Sequence, residues 1–117
     1  MESNRIPKEY RVGGQRIEVR MVDRCDGNSI GKEFLASGYI EIAHQYNKDR
    51  IQSEDSKVNT FYHELTHTIL GTMGKTELNE DEEFVNTFAG FLTEAMTSAV
   101  FAENNCQNEF IRRLQNQ

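Results

Sequence analysis

The chain has 117 residues, a hydrophobic content of 37% and a formal net charge of −6, from 19 acidic against 13 basic residues. That length fills one ordinary core and leaves no room for a separate ligand- or DNA-binding domain, so residues 1–117 are read as a single domain. The acidic balance argues against nucleic acid or an anionic membrane as partner, because phosphate contacts need clustered Lys and Arg, and it leaves a protein or peptide.

The run from Met1 to Ile6 is polar, and no apolar stretch reaches the length of a signal-peptide core or a membrane span. The expected location is therefore cytoplasmic. Two cysteines, Cys25 and Cys106, are too few for a disulfide framework and are read as reduced thiols.

In chain order, Tyr10-Arg11-Val12 and Gln15 through Met21 alternate apolar and polar residues about Gly13-Gly14. This is the pattern of a tight hairpin with Ile17, Val19 and Met21 facing the core. Asp26 to Lys32 carries turn chemistry without periodicity and is predicted to be loop or short turns. A second extended run, Gly38 to His44, places Ile40 and Ile42 on one face and ends in the polar turn Asn47-Lys48-Asp49.

From about Ser53 the period changes to 3.6: Val58, Phe61, Tyr62, Leu65, Ile69 and Met73 form one stripe, with Ser53 as N-cap and Gly74 as the residue just past the end. A second helix is predicted from Asn79 as N-cap, through the acidic turn Glu80 to Glu83 and on to Val100. From Glu103 the tail is rich in Asn and Gln; Phe110, Ile111 and Leu114 form one short helix, or residues 103–117 fray. The order of strands then helices makes the fold class α+β.

The first of these helices contains His63-Glu64-Leu65-Thr66-His67, an H-E-x-x-H pattern. Two imidazoles four residues apart lie one turn above each other and can share one metal ion, with the intervening Glu placed to take a proton from an activated water. Around the helix, both histidines fall roughly opposite the apolar stripe, which a packing role does not explain. A hydrolytic zinc site takes three protein ligands, so a third donor must come from elsewhere. Glu82 lies on the same stripe of the second helix as Asn86, whereas Glu83 is rotated toward solvent. Glu82 is thus the preferred third ligand and Asn86 a group able to orient a ligating histidine. Asp81 stays open as an alternative, and acidic residues at a helix start also complement its dipole without any metal. His44, in the second extended run, is read as a surface residue.

The run Thr60 to Leu70, followed by Leu78 to Asn86, resembles the short phage and mobile-element members of the ImmA/IrrE metallopeptidases, and the resemblance extends over most of residues 6 to 100. It implies a zincin-like, gluzincin-type fold: a small twisted antiparallel sheet packed on the H-E-x-x-H helix, with a second long helix completing the site. It further implies Zn(2+) held by His63, His67 and Glu82, with Glu64 as catalytic base. Longer relatives carry E-x-E-A-N, whereas this chain has Glu82-Glu83-Phe84-Val85-Asn86, so Glu83 stays an alternative to Glu82. The implied activity is hydrolysis of a peptide bond in a regulatory protein, typically a helix-turn-helix repressor.

On this reading the enzyme is a zinc metallopeptidase, and the run Tyr39 to Ala43 is expected to receive an extended substrate at a sheet edge. Tyr46 and His44 are weak candidates for the oxyanion donor. The chief alternative is a zinc-stabilised anti-repressor that binds its partner without proteolysis; a chance motif without metal is the third. Size and a free sheet edge permit a monomer or a weak dimer.

Overall fold

A computed structural model describes residues 5–102 and 104–116, with 104–108 described as backbone. Strand β1 (Glu9–Val12) and strand β2 (Gln15–Val22) pair antiparallel, with Tyr10 opposite Ile17. Between them Gly13 and Gly14 have φ of 57° and 83°. Two successive left-handed residues give the turn a twist that matches the strands it joins, and glycine adopts them without steric cost. Ile17 is fully buried, while Val19 and Met21 pack at the edge of the same core.

The chain then makes a turn at Asp26–Asn28, forms β3 (Gly31–Phe34), turns again at Leu35–Ser37 and enters β4 (Tyr39–Ala43). The sheet order is β1-β2-β4-β3. β4 runs parallel to β2, with Val19 opposite Ile40, and antiparallel to β3, with Gly31 opposite Ile42. The sheet is therefore mixed, which corrects the antiparallel expectation, and the expected loop at 26–32 ends in a strand. The cause is the connection over residues 23 to 38: it is long enough for the crossover a parallel pair needs, and it lays β3 along the outer edge of β4 on the way. A minor hairpin follows, β5 (Gln45–Tyr46) with β6 (Arg50–Ile51), about the predicted polar turn. The Arg24 guanidinium donates to the carbonyls of Asn47 and Lys48 in that turn.

Helix α1 (Glu54–Met73) begins where its cap chemistry predicts: Ser53 Oγ accepts from the Ser56 N–H at 3.1 Å, and the chain leaves the helix at Gly74 in the left-handed region. The next helix does not start at Asn79. Residues Thr76–Glu80 wind into a separate short helix, α2, and Asp81 caps α3 (Glu82–Ser98) by accepting from the Phe84 N–H at 3.1 Å. Helix α4 spans Asn104–Gln115; Glu103 and Gln117 of the predicted tail lie outside the described residues. Cys25 is a buried free thiol, and the Cys106 side chain lies outside the described residues. Among the described residues no helix is long and apolar enough to cross a membrane.

α1 lies between the sheet and α3. On the sheet side Phe61 joins Ile17, Ile40 and Ile42 in the core, with the Tyr10 ring edge-on to Phe61 at 5.7 Å. Burying each of these side chains stabilises the fold by about 2–3 kcal/mol. Because α1 is covered on two sides, Thr60, Glu64, Thr66 and Thr68 are buried as well, while Met73 at its end is exposed. The threonines satisfy their hydroxyls locally: Thr66 donates to the Tyr62 carbonyl and Thr68 to that of Leu65.

One buried side chain ties two elements together. Gln52 donates through Nε2 to the Ala43 carbonyl at 2.6 Å, and its Oε1 accepts from Ser56 Oγ and Thr60 Oγ1 at 2.8 and 2.6 Å. The end of β4 and the first turns of α1 are thereby held in register.

Candidate metal centre

His63 and His67 lie one turn apart on α1, their rings 4.9 Å between centroids, and both face the seam between α1 and the start of α3. The sharp entry into α3, set by the Asp81 cap, brings Glu82 across that seam. Its carboxylate oxygens stand 3.9 Å from His63 Nε2 and 3.8 Å from His67 Nε2. One potential ligand atom from each of the three residues lies within 4.8 Å of the others, and this is the one such group of His, Cys, Asp or Glu among the described residues. Of the acidic residues weighed from the sequence, Asp81 is occupied as the cap and Glu83 is exposed outside this group.

The donor set suits zinc. Two imidazole nitrogens and one carboxylate are the ligand types of a hydrolytic zinc site, and the two His–Glu82 separations need contract by only roughly half an ångström for tetrahedral bonding. Burial, reinforced by the neighbouring His67, lowers the pKa of His63 below its ordinary value, which keeps its nitrogen lone pair free. His67 is oriented from behind: its Nδ1 meets Asn79 Oδ1 at 2.6 Å. An amide oxygen there accepts an N–H, which leaves Nε2 as the bare nitrogen facing Glu82. Asn79 stands on α2, not at the helix start that its sequence signal predicts.

Asn86, expected to orient a histidine, instead lines a cavity of about 310 Å³ together with Ser29, Ile30, Gly31, Asn59, Thr60, His63 and Glu64. No hydrogen bond from Asn86 to either histidine is found among the described residues. The seam is braced by Thr93 of α3, whose hydroxyl donates to Asn59 Oδ1 at 3.0 Å.

Glu64 lines the same cavity as His63 and is 5% exposed at its wall. Burial, then the charges of Glu33 and Glu82, push its pKa up to about 8. β3 passes over it so closely that a Cβ at Gly31 would stand 2.5 Å from Thr60 Cγ2 and 3.0 Å from Glu64 Oε2. Glycine is what allows the strand to lie there. β4, expected to offer a sheet edge to substrate, is interior, paired on both sides; the edge beside Glu64 belongs to β3. His44 lines a different cavity, with Ile6, Lys8, Met21 and Lys57, and Tyr46 sits in the minor hairpin, so neither borders the Glu64 cavity.

No protein-family model matches the chain, and no curated protein or solved structure shows significant similarity to it.

Proposed function

We propose that the chain is a zinc-dependent metallopeptidase of zincin-like architecture that hydrolyses a peptide bond in a protein substrate. The observation that carries this reading is the convergence of His63, His67 and Glu82 within 4.8 Å beside the buried Glu64 carboxyl. The three ligands leave a tetrahedral ion one position for water or substrate, and zinc held there supplies Lewis acidity. With an ion bound, Glu64 would take the proton from the attacking water and return it to the leaving amine. An extended peptide pairs with the outer edge of β3, which brings its backbone to the cavity wall shared by Gly31, His63 and Glu64. The ImmA/IrrE resemblance adds a cytoplasmic setting and a helix-turn-helix repressor as the substrate class.

Zinc content and repressor cleavage, measured side by side for wild type and Glu64→Gln, test the proposal. The variant is expected to keep about one zinc per chain and to lose cleavage; cleavage retained by the variant sinks the catalytic reading. One feature favours a second reading, a zinc-stapled anti-repressor. The ligands come from two helices, His63 and His67 from α1 and Glu82 from α3, so an ion would clamp them whether or not it catalyses anything. In that case wild type inactivates its partner without cutting it, and Glu64→Gln does so equally well.

A further inference from the structure

Helix α3 presents apolar side chains on two sides. Val85 and Ala89 are buried against α1. On the other side Phe84, Phe88, Phe91 and Ala95 recur at the four-three-four spacing of a helix-packing seam, and Phe88 and Phe91 are 46% and 68% exposed. Helix α4 has the same deficit: Phe110, Ile111 and Leu114 share one face, and each is half exposed or more. A helix of 12 residues is marginal in water without an apolar cover, and patches of this kind mark interfaces.

The two uncovered faces belong to one chain but do not meet. The molecule is drawn out to 64 Å, with a radius of gyration of 17.7 Å against about 13 Å for a compact chain of this length, and among the described residues α4 makes no extensive contact with the rest. In the described part of the connection, Ala99-Val100-Phe101-Ala102 lacks Gly, Asn and Pro and its first residue is extended, unlike the left-handed Gly74 after α1. Charge is complementary. Between Thr76 and Ser98 stand Glu77, Glu80, Asp81, Glu82, Glu83 and Glu94 with neither Lys nor Arg, whereas the last turn of α4 carries Arg112 and Arg113.

We propose that the chain forms a two-fold dimer by exchange of α4: each copy seats the Phe110, Ile111 and Leu114 face on the outer seam of α3 in the other, with Arg112 and Arg113 against its acidic residues. A two-fold exchange covers both faces twice and closes the assembly. The interface is independent of whether the metal centre cleaves peptides.

Light scattering after size exclusion, with amide hydrogen exchange, tests this on the full chain over concentrations from about 1 to 100 μM. The expected result is twice the mass of the 13.5 kDa chain at the upper end, with protected α4 amides. Phe91→Glu and Leu114→Glu should each move the monomer–dimer midpoint about tenfold or more to higher concentration. The double variant Arg112→Glu, Arg113→Glu, at exposed positions where folding is not at stake, should move it the same way and more so at low salt. A monomer throughout the range overturns the proposal. Protected α4 amides would then mean that α4 folds back on its own α3, and freely exchanging ones that a different protein covers it. A dimer unmoved by Phe91→Glu or by Leu114→Glu overturns it as well.

Discussion

At the scale of single residues, the pair His67 and Asn79 defines how well the site is preorganised. With Nδ1 engaged at 2.6 Å, the ring is fixed both in rotation and in tautomer. Asn79→Leu is expected to weaken zinc binding about 10- to 100-fold, read by competition with a chelating dye, whereas Asn79→Asp keeps the acceptor and should retain tight binding. Glu64 makes a pH prediction for the metal-stripped protein. Its carboxyl titrates near 4.5 in the unfolded chain and near 8 in the fold, so the folded state holds the proton more tightly and loses stability as pH rises from 4.5 to 8. His63 has the opposite sign: its lowered pKa costs stability only as pH falls below about 6.5. Between pH 6.5 and 8 Glu64 therefore acts alone. Urea unfolding should show declining stability across that window in wild type and a flat profile in Glu64→Gln; equal slopes would exclude a buried, protonated Glu64. His63, Glu64 and His67 were legible because their chemistry depends on spacing along one helix. Asn79 was not, because an Asn ahead of an acidic turn is equally a cap, and only the separate turn of α2 carries it to His67.

At the scale of elements, β3 decides what can reach Glu64. Gly31→Val would drive a side chain into Thr60 and the Glu64 carboxyl, so the strand must lift. Under the proposed function, peptide cleavage is expected to drop about 10- to 100-fold through lost positioning, while zinc stoichiometry stays unchanged because β3 supplies none of the proposed ligands. Loss of zinc in that variant would show that the strand also supports the metal centre. The residues of β3, Gly31-Lys32-Glu33-Phe34, carry no alternation and two charges; they are a strand because β4 pairs with them. The β1–β2 hairpin and α1 were legible for the converse reason. The Gly-Gly turn, the period of two, the Ser53 cap and the Gly74 terminus are all local signals.

At the scale of the whole molecule, α1 is the shared wall between the sheet core and the candidate metal site, whose three side chains come from α1 and α3. An ion bound only by the folded state stabilises it by about 3 kcal/mol when free zinc stands about 100-fold above its Kd. Chelation should therefore lower the thermal midpoint by several degrees, and His63→Ala, having lost a ligand, should show almost no response. A midpoint indifferent to chelator in wild type would remove the ligand assignment.

The α+β order, the hairpin, β4, α1 and the His63-Glu64-His67 spacing follow from the sequence by itself, because hydrophobic period and cap chemistry act over a few neighbouring residues. Tertiary structure alone decided the parallel pairing of β2 with β4, the strand at Gly31, the burial of α1 on two faces and the approach of Glu82, rather than Asp81 or Glu83, to the two histidines. Each of these depends on how far a connection reaches and which surfaces then meet, and contacts between residues distant in the chain leave no periodic mark on it.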